Sequence, residues 1–335
     1  MSNRRGIGST PWSEEPWTRR SFLGAAGAGA AYLWSQLTFG AGRALAQPAS
    51  RIVDRQPWAT LEELAEGVWA VVSKPLESDD WTTGCNGGLI AGRERVVAIE
   101  GFLRPAGAEW LGQQAVKLTG RQLTDIVVTH FHRDHVDGLE GYAAADTPTL
   151  RATPTTLTLI RQEDEKRDQP TSAARQKMLD SFTPITPQEP STLDLGGRTL
   201  TLHPRRGHTP SDVTAELDDP SIVFAGDLVW NGLFPNYRDT AASAFTRSIR
   251  ALRRRQATTY VSGHGALANG ADVDALLMLV ESVGEAARRA HEKGLTYAEG
   301  AAAFSLPRSM ADWVLFNPRY FEVAFEKWYE ELGSS

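Results

Sequence analysis

The stretch TDIVVTHFHRDHVDGLEGY, Thr124 to Tyr142, places three of the chain's seven histidines and an aspartate within six consecutive positions, His130 to His135. The apolar run DIVVT leads into it as a strand, and extended backbone projects residues two apart to the same side. His130 and His132 therefore converge on one point just past the strand end, which begins a zinc-like site. Asp134 and His135 follow where the chain must turn, so their side chains diverge and are better placed to serve a second ion beside the first. A catalytic zinc takes about three protein ligands and a water. The fold must therefore bring further ligands to this strand end from distant parts of the chain, on a scaffold rigid enough to hold them.

The only cysteine is Cys85, so a disulfide framework and a cysteine-rich metal site are both excluded, and the ligands must be nitrogen and oxygen. Cys85 itself reads as a small buried hydrophobe. The formal charge of −6 gives no reason to expect nucleic acid as a partner, and a small molecule is the expected one. The arginines at 250 and 253–255 read as a solvated helix face.

Short apolar runs at Gly67–Ser73, Gly87–Gly92 and Arg95–Gly101 predict strands. Ala108, Leu111, Ala115 and Leu118 recur at helical spacing before DIVVT, giving strand, helix, strand. Further strands are expected at Arg198–Pro204, Val213–Leu217 and Ser221–Asp227, a helix over Ala241–Arg255, and helices from Asp272 onward. Residues 47–55 read as a polar linker. The segment 162–190 is polar and punctuated by proline, consistent with a helix and loop bordering the site, and the sequence alone does not settle it. In the tail, Tyr320, Phe321, Phe325, Trp328 and Tyr329 recur at helical intervals, with packing favoured over a substrate wall or a dimer contact. This mixture is an α/β chain, sheets with helices outside.

Three further residues follow or end apolar runs beside glycine: His208 in RRGHTPSD, Asp227 in VFAGDLVW and His264 in YVSGHGAL. With these in order behind H-x-H-x-D-H, the chain resembles the metallo-β-lactamase fold superfamily over about Gly67 to Gly265. The resemblance implies a four-layer αββα sandwich over 47–270, with 271–335 as a C-terminal helical extension packed on it. It further implies His130, His132 and His208 on one metal, Asp134, His135 and His264 on the other, and Asp227 bridging both. Zinc is the expected ion, with iron or manganese as alternatives. An aspartate at the bridging position is found in glyoxalase II-like thioesterases and lactonases and not in the zinc β-lactamases, which argues against β-lactams as substrate. Where many relatives carry an aspartate before a Thr-Gly turn, this chain has Glu100-Gly101-Phe102, a longer carboxylate that can still orient a ligand histidine. Thr209 and Asp212 are further candidates for that supporting role.

Two divalent ions lower the pKa of a shared water and polarise a substrate carbonyl, so a metal-bound hydroxide serves as nucleophile and no serine or cysteine is required. Asp134 is the expected catalytic residue, orienting that water or passing its proton on. Behind Asp227, the loop LVWNGLFPNYRD offers Trp230, Asn231, Tyr237 and Arg238 as substrate contacts, with Asn231 or Tyr237 donating to an oxyanion. The phrases GDLVWNG and FPNYRD are similar to those of periplasmic quinoprotein relay system metallohydrolases and, more loosely, glyoxalase II. That similarity implies a hydrolase of a small ester, thioester or lactone. The alternatives are a mononuclear iron oxidoreductase of the persulfide dioxygenase kind and a metal-stabilised binding protein of the cell envelope.

The N-terminus carries Arg19-Arg20 before Ser21-Phe22-Leu23 and a Gly- and Ala-rich apolar run, which resembles a twin-arginine export signal. Ala44-Leu45-Ala46 supplies a cleavage site of small residues, so 1–46 is expected to be removed, the alternative being an uncleaved membrane anchor over the apolar stretch Phe22 to Ala41. Losing five arginines and two glutamates with it would shift the formal charge from −6 to −9. Transport by that pathway moves folded proteins, implying transient engagement of the export machinery, a periplasmic location and no membrane insertion after cleavage.

Overall fold

The computed structural model describes residues 50–333, apart from 144–146, 169 and 254–257. The export segment and its boundary at 46 lie outside the described residues. Eight strands pair in chain order into one sheet: β1 (Arg51–Arg55), β2 (Ala59–Ala65), β3 (Val68–Ser73), β4 (Gly87–Ala91), β5 (Val96–Ile99), β6 (Asp125–Val127), β7 (Thr149–Ala152) and β8 (Phe182–Pro184). Pairing is antiparallel from β1 to β5 and parallel from β5 to β8. A second sheet runs in the order β13-β12-β11-β10-β9, from β9 (Ser191–Asp194), β10 (Thr199–Arg205), β11 (Asp212–Leu217), β12 (Ile222–Asn231) and β13 (Thr259–Gly265). Only its β12–β13 pair is parallel.

The twofold alternation of side chains along these strands builds the layers. In β3, Val68 and Ala70 face the second sheet while Trp69 and Val71 face outward. In β12, Ile222 and Phe224 point inward and Val223 and Ala225 outward. The inward set forms an apolar core between the sheets. Helices Pro105–Thr119, Pro154–Glu165 and Ala173–Asp180 cover the outside of the first sheet through Ala108, Leu111, Ile160, Met178 and Leu179. Helices Ala242–Leu252, Gly270–Glu292 and Tyr320–Leu332 cover the second through Phe245, Leu276, Leu279, Phe325 and Trp328. The result is the αββα arrangement.

One expectation needs adjustment. Arg51–Arg55, read as linker, is the edge strand β1 paired with β2; its charged, exposed side chains hide the strand pattern, as edge strands commonly do. The open segment 162–190 carries helix Ala173–Asp180 and β8 after the end of helix Pro154–Glu165, so it belongs to the first sheet and its cover. The helices beyond residue 270 share one apolar cluster with β12, reaching from Val223 to Trp328, as expected of a C-terminal helical region packed on the sandwich. In the tail, Tyr320, Phe325 and Trp328 are buried and Phe321 and Tyr329 pack against them, as expected of a packing helix. Arg250 pairs with Glu281 on the exposed helix face and Arg253, just past the helix end, pairs with Asp274, while the arginines at 254 and 255 lie outside the described residues. No described helix is long and apolar enough to cross a membrane.

Candidate metal centre

Loops and strand ends on one edge of both sheets converge. His130 and His132 follow β6, Asp134 and His135 sit on the short helix Arg133–Val136, His208 lies between β10 and β11, Asp227 is within β12 and His264 within β13. Their donor atoms fall into two groups, His130, His132, His208 and Asp227 in one, Asp134, His135 and His264 in the other, each with all atoms within 4.8 Å of one another. Asp227 faces both. Its Oδ2 lies 3.2 Å from His208 Nε2 and 3.9 Å from His130 Nε2, and its Oδ1 lies 3.2 Å from His135 Nε2 and 3.4 Å from His264 Nε2. Asp134 Oδ2 closes the second group at 3.2 Å from His264 Nε2 and 3.5 Å from His135 Nε2.

Backbone geometry makes room for the bridge. Gly226 takes φ +52° beside Asp227, where the pairing of β12 with β13 shifts register. A Cβ at Gly263 would lie 1.9 Å from Asp227 Oδ1, so only glycine admits the carboxylate there.

The donor set fits divalent metal ions. His130 Nε2, His135 Nε2 and Asp227 Oδ1 are buried without a hydrogen-bond partner, a costly state for polar atoms unless something else satisfies them. The supporting contacts also set the ring tautomers. Thr129 Oγ1 donates to Glu100 Oε1 at 2.6 Å, so its oxygen accepts from His130 Nδ1 at 2.9 Å, which leaves His130 Nε2 free of a proton for a metal. His132 Nε2 donates to Asp239 Oδ2 at 2.8 Å, which turns Nδ1 toward His208 Nε2, 3.0 Å away. Glu100 Oε1 lies 3.1 Å from His135 Nδ1. Glu100 and Phe102 both hold positive φ, +77° and +60°, and the contacts of the Glu100 carboxylate to Thr129 and His135 offset the strain at Glu100.

Charge divides between the two groups. Burial, with neighbouring His135 and His132, holds the His130 pKa well below its usual value. Burial also disfavours a charged His264, but the Asp227 and Asp134 carboxylates outweigh it and push its pKa up to about 9. His135 is raised in the same way against its burial, with Glu100, Asp134 and Asp227 among the groups that outweigh it. Metal binding to the second group therefore has to displace protons.

The other candidates sort differently. Trp230 stacks on His264, ring centroids 4.2 Å apart, and donates Nε1 to Asp227 O. Asn231 is half-buried and donates Nδ2 to Leu267 O, tying β12 to the segment after β13, and Tyr237 is wholly buried between Phe234 and Phe245. Arg238 is exposed, with Nε 3.8 Å from Asp239 Oδ2. Thr209 donates N and Oγ1 to Asp212, which fastens the His208 turn, and burial pushes the Asp212 pKa up to about 6. Cys85 is buried and donates Sγ to Asp134 O at 3.0 Å.

Asp239 was not anticipated from the sequence, although it ends the phrase FPNYRD; no strand or motif signal marks it. Arg175 was likewise missed. It is buried, pairs Nε with Asp164 Oδ2 at 2.6 Å, and donates Nη1 to Val136 O at 2.8 Å and Asp137 O at 3.2 Å, holding the helix that carries Asp134 and His135.

Solved structures share this fold. A metallo-beta-lactamase from Erythrobacter litoralis is 21% identical, with a TM-score of 0.52 over 69% of this chain and 100% of its own. The metallo-beta-lactamase DIM-1 is 20% identical, with a TM-score of 0.52 over 68% and 98%. The inverting sec-alkylsulfatase Pisa1 from Pseudomonas sp. is 18% identical, with a TM-score of 0.60 over 82% of this chain and 50% of its own. At these identities the likeness concerns the fold alone. No curated protein sequence matches the chain. The family model of the metallo-beta-lactamase superfamily matches residues 80–264, from the loop before β4 to the last of the gathered histidines. With that match spanning more than half its length and the αββα sandwich around the site, the chain belongs to the metallo-beta-lactamase superfamily.

Proposed function

We propose that the protein is an exported, dinuclear metal-dependent hydrolase of a small ester, thioester or lactone. The observation that carries this reading is Asp227, with one carboxylate oxygen turned to each donor group. His130, His132 and His208 would hold one ion, Asp134, His135 and His264 the other, with Asp227 shared. Two zinc ions held there supply Lewis acidity toward a carbonyl oxygen and lower the pKa of water enough to provide hydroxide at neutral pH.

The protein's own residues do the rest. Asp134 has the most exposed side chain of the seven, 29%, so it reaches both the donor group and the open side of the site. Burial disfavours its charge, but His135 and His264 keep it ionised, so it can orient water and accept its proton. Trp230 and Phe131, both buried, flank the histidines and limit the entry of bulk water. A mononuclear iron centre or a single structural ion would not need two donor groups joined by one carboxylate.

Elemental analysis of the mature protein, beside a screen of thioester, lactone, phosphodiester, sulfate ester and β-lactam substrates, tests the assignment. Near two zinc ions per chain with turnover of a carbonyl ester is the expected result; one iron with oxygen uptake and no hydrolysis would move the protein to the oxidoreductase reading. Asp134→Ala and His132→Ala should abolish turnover in a protein that still folds. Unchanged turnover in metal-replete Asp134→Ala would sink the mechanism.

Export rests on the Arg19-Arg20 segment and the Ala44-Leu45-Ala46 site. Changing both arginines to lysine should trap the precursor in the cytoplasm, read by cell fractionation. Undiminished periplasmic delivery would refute the twin-arginine route.

A further inference from the structure

The two sides of the site differ in chemistry. Beside His132, Asp239 and the exposed Arg238 make a polar border. Beside His264 the surroundings are aromatic. Phe316 lies 5.9 Å from the His264 ring and 6.2 Å from Trp230, and Trp81 packs on Phe316 at 5.8 Å. Trp81 and Phe316 are only half-buried, although large rings gain most by full burial.

Both rings are held in place from behind. The loop that carries Trp81 is pinned at Asp134: a Cβ at Gly84 would lie 2.9 Å from Asp134 Cβ, and Cys85 Sγ donates to Asp134 O. Asn86 then donates Nδ2 to Ser262 Oγ and Gly265 O, on either side of His264. The segment that carries Phe316 is fastened by Phe234 N to Val314 O, 2.9 Å, and Val314 N to Gly232 O, 3.0 Å. Phe316 lies beyond residue 264, where the family match ends.

We propose that Trp81 and Phe316 form an aromatic subsite against the His264 side of the centre, which takes a planar or bulky apolar group next to the scissile bond. The substrate class is thereby narrowed to aryl or aryl-alkyl esters, thioesters or lactones in preference to short aliphatic ones. This rests on the hydrolase reading, and its test is one of binding so that the two can fail separately.

Phenylacetate and acetate carry the same carboxylate and differ by the ring. Calorimetric titration of each into the zinc-loaded full protein should show phenylacetate binding about tenfold more tightly or better. That ratio should fall toward one in Trp81→Ala and in Phe316→Leu, the latter keeping apolar bulk without the ring face, with zinc content unchanged in both. Equal affinities in the unaltered protein, or a preference that survives both substitutions, would overturn the subsite. Failure of every ester to turn over while the preference persists would instead count against the hydrolase and leave the subsite standing.

Discussion

Asp227→Ala is expected to reduce bound metal from two ions toward one per chain and to lower turnover at least a hundredfold. Asp227 alone among the gathered side chains presents an oxygen to each donor group, so its removal deprives both of an anionic ligand at once. What remains is three imidazoles on one side and an aspartate with two histidines on the other. Altering even the groups that support a metal ligand costs about 10- to 100-fold in affinity or activity, and loss of a ligand should exceed that. Asp227→Asn is a useful comparison because it preserves the volume beside Gly263 while removing the charge. Elemental analysis and turnover together check the result. Two ions and undiminished turnover in both variants would mean that the carboxylate does not bridge.

Arg175→Ala is expected to destabilise the fold by about 3 kcal/mol, the lower end of what breaking a buried ion pair costs. Asp164 would be left buried without its closest cation, while Arg167 Nε remains 3.3 Å from its other oxygen and limits the loss. The substitution also frees Val136 O and Asp137 O at the end of the helix bearing Asp134 and His135, so metal affinity on that side should fall too. Urea unfolding of the metal-free protein measures the first effect and zinc titration the second. Replacing the pair together, Arg175→Met with Asp164→Leu, should recover most of the stability, since no unpaired charge then remains. A loss below about 1 kcal/mol in Arg175→Ala would show that the pair does not clamp the helix.

These two predictions sit on opposite sides of what can be read from sequence. The Asp227 site was legible because its ingredients are scarce and local. Seven histidines in 335 residues make the H-x-H-x-D-H cluster conspicuous, and strand alternation directs His130 and His132 to one point. Asp227 and His264 announce themselves as strand-end residues beside glycines, and the structure gives the reason, since Gly263 leaves the space that the carboxylate fills. The periodicity gave an α/β chain of sheets with helices outside, and the four-layer sandwich was implied only by the family resemblance.

Arg175 carries no such mark. It sits in a polar, proline-punctuated stretch, and only the packing of helix Ala173–Asp180 against the turn bearing Asp134 and His135 makes it a buried clamp. Asp239 and Phe316 are alike in this respect, each joined to a histidine more than 50 residues away in the chain. Tyr237 shows the converse, a polar group in a promising loop that packing turned inward. Sequence by itself marked the H-x-H-x-D-H cluster as candidate metal ligands, the alternation of the strands and the apolar faces of the terminal helices, because each depends on neighbours a few positions apart. Tertiary structure alone decided which side chains contact the gathered histidines, which aromatic rings border them and which loop residues are buried, because those are contacts between segments whose distance in sequence leaves no periodic trace.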